Sequence, residues 1–279
     1  TVLAIGDGGN DINMIRAANV GVGVRGEEGA MACKYADFAI GEFQNLKPLL
    51  FIHGRECYRR NSVLLVFTIW RNIVLRASSV YFGGVGGFSG QVLYNDFFVV
   101  YFQILYTTLL LIPYTLLDRE YSDEVLLSDP KKYKIGQENL YYRPKTFWMY
   151  CIIGMVQSLW IYLFITQSAV FDIAQEDGRT STYWSMGNTT FWACVLSINF
   201  MMLVYCSQIT VALILAILLG VVLFILNWYS LSQGETNDDY GTFEDCLKMP
   251  YQYFSVILAL VAILVPDVAV KRYLKLKAQ

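Results

Sequence analysis

The sequence is poor in charge. Only 16% of its 279 residues are Asp, Glu, Lys or Arg, against about 25% in soluble globular domains. That deficit points to a bilayer. Neither sign is in large excess: the net charge is −2, which leaves no basic footprint for nucleic acid. The six cysteines, at 33, 57, 151, 194, 206 and 246, include no C-x-x-C pair, so neither a zinc site nor a redox motif is legible. Four of them lie in or beside apolar runs, where cysteine is ordinarily a packed side chain. There is no initiator Met and no signal-peptide pattern. The first residue already belongs to an apolar strand, and the chain reads as a C-terminal fragment of something longer.

Hydrophobic residues make up 56% of the chain, and the mean hydropathy is +0.42. Their arrangement divides it. Residues 1–42 have an α/β texture: a strand at Val2–Ile5, a short helix at Ile12–Ala18, a strand at Val20–Val24, a helix at Glu27–Lys34 and a third strand at Asp37–Ile40. From Phe43 the pattern is helical and does not break before Phe82. About 40 residues at ~1.5 Å each make about 60 Å, too long for a bilayer alone. The first part, 43–61, is therefore expected to be a stalk.

A bilayer core takes roughly 20 apolar residues per helix. Six segments qualify within 62–279: about 62–82, 95–117, 146–170, 189–207, 210–231 and 251–270. The fold class expected is an α-helical polytopic membrane bundle preceded by the end of an α/β domain. Basic residues side the connections. Residues 118–145 carry Arg119, Lys131, Lys132, Lys134, Arg143 and Lys145, and the tail carries Lys271, Arg272, Lys275 and Lys277. Residues 83–94 carry none, 171–188 only Arg179, and 232–250 only Lys248. The positive-inside rule then places both termini and the 118–145 loop in the cytoplasm. Asn188-Thr189-Thr190 is an N-glycosylation sequon on the outer side, close to the start of a span.

Chemistry concentrates at two places. The first strand runs into Gly6-Asp7-Gly8-Gly9-Asn10-Asp11. Ligands of open α/β sheets bind at the C-terminal edges of strands, and a following helix offers free N–H groups to an anion. Asp7 and Asp11 supply hard carboxylate oxygens of the kind Mg²⁺ takes while keeping several waters, and Asn10 can donate to a phosphoryl oxygen. The second place is the first span. Arg71 lies near mid-membrane, where an arginine costs roughly 2.5–3.5 kcal/mol on the insertion scale and usually marks function. Pairing with backbone carbonyls or a carboxylate is its structural alternative. Arg76, nearer the outer side, can snorkel. Asp96 opens the second span, where a helix dipole favours an acid.

G-D-G-x-N-D followed by Met14-Ile15, a V-G-V-G-V strand and a long helix resembles the end of a P-type ATPase phosphorylation domain. The closer resemblance is to the phospholipid flippases (type IV). It rests on Gly26-Glu27-Glu28-Gly29, His53-Gly54-Arg55 with Tyr58, Gly87-Phe88-Ser89-Gly90-Gln91, Tyr94-Asn95-Asp96, Leu105-Tyr106-Thr107, Gly136-Gln137 with Asn139-Leu140, and Pro266-Asp267. The resemblance implies a haloacid-dehalogenase-type domain that phosphorylates its own aspartate from Mg-ATP and drives phospholipid from the outer to the cytoplasmic leaflet. It also implies a membrane glycoprotein β-subunit as partner and a plasma-membrane or Golgi/endosomal location. The D-K-T-G nucleophile motif of the family does not occur in these residues, so the fragment by itself is expected to be inactive.

By the same resemblance Arg71-Asn72 stands where flippases carry lysine-asparagine, and Gln103 where they carry asparagine. Thr108-Leu109-Leu110 replaces serine-leucine-proline. Arg71, Asn72 and Gln103 are thus the expected lipid path. Two rivals stay open. A cation-transporting P-type pump needs several oxygen ligands in these spans, yet no acid lies between Ser62 and Phe82 and only Asp96 in the next span. A non-catalytic membrane scaffold would keep the fold without the chemistry.

Overall fold

The computed structural model describes residues 1–26, 30–170 and 182–278. Glu27, Glu28 and Gly29, the start of the expected 27–34 helix, and the 171–181 stretch with Arg179 lie outside the described residues, as do the side chains of Lys275 and Lys277. The chain forms two compact units, residues 1–59 with 121–140, and residues 60–120 with 141–279.

In the first unit β1 (Leu3–Gly6), β2 (Val20–Val24) and β3 (Phe38–Ile40) make a parallel sheet in the order β1-β2-β3. Leu3 pairs with Val20, and Val22 with Phe38. Parallel neighbours require crossovers, and these run through α1 (Ile12–Ala17) and α2 (Met31–Tyr35). Ala4, Ile15, Val22 and Ala32 close its small core. The helical run from Phe43 to Arg59 carries a buried ion-paired cluster, in which Arg55 and Arg59 both bond Glu56, at 2.5 Å and 2.8 Å. Residues 121–140 place a few side chains against this run, while most of their charged side chains stay exposed. Arg55 Nε donates to Lys132 O at 3.1 Å, the Phe51 and Tyr133 rings lie 5.1 Å apart, and Leu126 is buried.

Six helices among the described residues are long and apolar enough to cross a membrane: Phe43–Val85, Asp96–Leu117, Pro144–Ala169, Tyr183–Tyr205, Val211–Ser232 and Pro250–Tyr273. They are called the first to sixth spans below. An integral, multi-pass membrane protein is the class they define. The fourth span is the most enclosed, and an aromatic cluster sits against it. Phe98, Phe102 and Tyr106 of the second span meet Phe191 of the fourth and Phe224 of the fifth. Phe191 and Phe224 stack at 5.6 Å, and Tyr106 meets Phe224 edge-on at 5.4 Å. Aromatic pairs at such spacings add about 0.5–1.5 kcal/mol beyond their buried area.

Four spans, the second, third, fifth and sixth, begin within two residues of their expected positions, and the first is continuous with the helical run expected from Phe43. The fourth begins at Tyr183, six residues ahead of the expected 189. Hydropathy misses this turn because it is polar and nevertheless buried. Ser185, Asn188, Thr189 and Thr190 are all enclosed. Asn188 donates to Asp239 Oδ1 at 2.7 Å and to Thr242 Oγ1 at 3.2 Å, and Thr189 donates to Gln252 Oε1 at 3.0 Å. The Asn188 sequon is therefore no acceptor in the folded chain, since the residue is 1% exposed. The carboxylate it meets, Asp239, is itself fully buried and also accepts from Asn95. Burial raises the Asp239 pKa above its ordinary value.

Candidate functional site

At the end of β1 the glycine-rich loop turns most tightly at Gly6, where nothing larger fits. A Cβ on Gly6 would lie 2.4 Å from Asp11 Cβ. That room brings the Asp11 carboxylate under the turn. Its Oδ2 accepts from the Asp7 amide at 3.2 Å and from the Gly8 amide at 3.4 Å. Asp11 thus holds the loop as well as offering a second oxygen. Asp7 and Asn10 are exposed at the strand edge, and the Asp7 carboxylate takes no hydrogen bond or ion pair among the described residues. No group of three or more His, Cys, Asp or Glu positioned for a metal occurs among the described residues. What this loop offers a cation is the Asp7 carboxylate and the partly committed Asp11 carboxylate. Such a hard-oxygen pair fits Mg²⁺, which keeps several waters and completes its shell from phosphate.

The second site lies within the other unit. The second span is not one continuous helix. Asp96–Tyr101 is α-helical, with Asn95 Oδ1 accepting from Phe97 N at 3.0 Å at its start. A wide π turn follows over Phe102–Tyr106, then an irregular turn, and helix resumes at Leu111–Leu117. The freed carbonyls find side-chain partners, as they must in a bilayer. Thr107 Oγ1 donates to Phe102 O at 2.7 Å, Thr108 Oγ1 donates to Gln103 O, and Asn199 Nδ2 of the fourth span donates to Tyr106 O at 3.1 Å. The fifth span approaches this carbonyl closely, because Gly220 has no Cβ. One placed there would lie 2.7 Å from Tyr106 O.

Arg71 points into this break. Its guanidinium donates to Thr107 Oγ1 at 2.8 Å, Thr108 Oγ1 at 3.2 Å and Gln103 Oε1 at 3.3 Å. It also lies over the Phe102 ring, 6.0 Å from the centroid. The Gln103 amide bridges two residues, since its Nε2 donates to Asn72 Oδ1 at 2.5 Å. The structure therefore brings Arg71, Asn72 and Gln103 together, with Thr107 and Thr108. Arg71 is 5% exposed, and no carboxylate pairs with it among the described residues. Its Nε has no partner there. A buried cation held by neutral dipoles alone is incompletely compensated, and an anionic group is the natural complement. Asp96 and Arg76 stand apart from it and are exposed.

Sequence reasoning did not single out Asn199, Asp239, Gln157 or Asp267 as members of polar clusters. Gln157 and Asn199 carried one legible signal, a polar side chain inside an apolar run. Asp239 carried none, for an acid in a polar connection between spans reads as solvated.

A family model for the phospholipid-translocating P-type ATPase C-terminal region matches residues 33–278. Curated proteins agree. The chain is 31% identical over 277 residues to the human protein named phospholipid-transporting ATPase IC, covering 96% of this chain and 22% of that protein. It is 36% identical over 196 residues to Schizosaccharomyces pombe phospholipid-transporting ATPase C887.12, covering 70% of this chain and 16% of that one. With Arabidopsis thaliana probable phospholipid-transporting ATPase 5 it shares 33% identity over 211 residues, 75% of this chain and 17% of that one. The chain belongs to the phospholipid-translocating P-type ATPases. It spans about a fifth of the length of the curated relatives it matches.

Proposed function

We propose that these residues serve a pump that carries phospholipid from the outer to the cytoplasmic leaflet, driven by an aspartyl-phosphate cycle fed by ATP. The nucleophilic aspartate comes from a segment outside these 279 residues, and this piece alone does not turn over ATP. Residues 1–42 are the end of the phosphorylation domain, 43–61 the stalk and 62–279 membrane domain. Both termini face the cytoplasm, in the plasma membrane or an endomembrane, and a membrane glycoprotein β-subunit is the expected partner.

At the loop, Asp7 would hold Mg²⁺ with Asp11 as the second oxygen source. The ion, when bound, neutralises charge on the transferring phosphoryl group. Asp11 fixes the turn through the Asp7 and Gly8 amides, and Asn10 donates to a phosphoryl oxygen. Loading and release of the phosphoryl group reach Arg71 and Asn72 through movement of the helical run from Phe43.

The observation that carries the lipid reading is the buried Arg71 guanidinium, surrounded by Gln103, Thr107 and Thr108 with no acid beside it among the described residues. Cation transport needs oxygen ligands of the opposite charge at this place, whereas a phosphodiester or polar headgroup suits an arginine with one nitrogen unpartnered. Arg71→Ala in the full-length protein, reconstituted in lipid vesicles, tests it. Lipid-stimulated ATPase should fall by roughly tenfold or more, as befits loss of a charged hydrogen-bonding group, while phosphorylation from ATP stays near normal. Equal losses in both would make Arg71 a structural residue. A full-length protein that takes no phosphate from ATP would favour the scaffold.

A further inference from the structure

Beside Arg71, on the same helical turn, Trp70 is turned toward the third span and is 1% exposed. Its indole Nε1 donates to Gln157 Oε1 at 2.7 Å. The other end of that amide donates to Asp267 Oδ2 of the sixth span, also at 2.7 Å. We infer that Gln157 is a positioning residue for the lipid path: anchored by Asp267, it fixes through Trp70 the rotation of the first span that aims Arg71 at the break in the second. This rests on the lipid-path reading of Arg71 given above.

Helix geometry makes the link obligatory. Successive residues lie about 100° apart, so Trp70 and Arg71 turn as one body. With side chains about 6 Å from the axis, a rotation of about 30° moves each by about 3 Å. That equals a whole hydrogen-bond length and would take Arg71 out of reach of Thr107 and Gln103 together. The Trp70–Gln157 bond opposes such a rotation, because an unpaired indole N–H in this buried place bears its full desolvation penalty. Close packing supports the same register. A Cβ on Gly154 would stand 3.3 Å from Trp70 Cδ1 and 3.1 Å from Ile73 Cγ2, so the third span lies tight against this face. Phe67, a turn before Trp70, meets the Tyr205 ring of the fourth span at 6.0 Å. The acceptor oxygen at the far end matters because it engages the Gln157 amide nitrogen. That bond fixes which end of the amide faces Trp70.

The sequence around Gln157 offers only a polar residue among apolar ones, so the role is visible only from its two partners, 87 and 110 residues away. Gln157 is 7% exposed and has no place in the phosphoryl chemistry.

The test uses the full-length protein in mixed vesicles of phosphatidylcholine with phosphatidylserine or phosphatidylethanolamine, titrating each in turn. Gln157→Leu should raise the lipid concentration for half-maximal ATPase stimulation by roughly tenfold, as expected for a buried hydrogen-bond network losing its centre. The level of phosphoenzyme formed from ATP should not change. Asp267→Asn, which still offers an oxygen to Gln157, should stay close to wild type, and Asp267→Leu should approach Gln157→Leu. If Gln157→Leu does not accumulate, Trp70→Phe removes only the indole N–H and carries the same expectation. Unchanged half-saturation in Gln157→Leu or Trp70→Phe overturns the inference. So does an Asp267→Asn protein as impaired as Asp267→Leu. Arg71→Ala is scored alongside. If it leaves lipid stimulation intact, the lipid-path reading itself fails; if it impairs stimulation while Gln157→Leu does not, only the positioning role fails.

Discussion

The Asp7 loop holds its free carboxylate at the surface, and it does so with backbone: glycines set the turn and two amides lean on Asp11. Arg71, in the other unit, is held almost wholly by side chains drawn from a neighbouring helix. The first arrangement suits a group that must exchange water, ion and phosphoryl oxygen. Backbone donors keep their place while ligands come and go. The second suits a group in a bilayer, where no water completes an unfinished shell and every donor needs a protein or ligand acceptor. A local motif suffices for the exposed site; the buried one needs several helices in fixed register.

The comparison breaks most sharply at Asp7. Asp7→Asn in the full-length protein should leave the fold intact and abolish phosphoryl turnover, a loss on the order of 10²-fold or more. Phosphoenzyme formation and decay from labelled ATP measure it, and unchanged turnover would remove Asp7 from the chemistry. The bundle should respond in the opposite way, through stability. Gly187→Ala places a methyl 2.2 Å from Leu93 O. Forcing the fourth span outward should cost about 1–3 kcal/mol, the range for overpacked interiors. Thermal unfolding in detergent reads this, and a melting temperature equal to wild type would mean that the helices part freely.

The smallest expected effect concerns pH at the connection between the fifth and sixth spans. Burial raises the Asp239 pKa above its ordinary 3.8. The folded state then binds more proton than the unfolded state between 3.8 and the raised value. Stability is fully present below that window and declines as pH rises through the folded pKa. Asp239→Asn cannot titrate and keeps an acceptor for Asn188 or Asn95. Its melting temperature should therefore vary less over this window than that of wild type. An identical slope would show that Asp239 does not titrate there.

The six spans were legible because a bilayer imposes a length and a composition on each helix separately. The three strands were legible because V-G-V-G-V and its flanks carry strand patterning within a few residues. Where the reading slipped, at the start of the fourth span, the reason was physical. Ser185, Asn188 and Thr189 look like loop residues until Asp239 and Gln252 are placed beside them. In the connection at 121–140 most charged residues are exposed, and Leu126, Tyr121 and Tyr133 are the side chains that pack, a selection that only the folded contacts reveal.

By itself the sequence determined the class of this protein: six apolar helices, a glycine-rich loop carrying two aspartates, and Arg71 within a stretch, 62–82, that has no acid. Each of these is a property of a short stretch of chain and of the solvent it meets. Tertiary structure alone decided what the arginine faces. Thr107 and Gln103 on one side, and Trp70, Gln157 and Asp267 on the other, come together only when four spans take one register. In a medium that offers polar groups no solvent partner, that register is set by the hydrogen bonds the spans complete for one another.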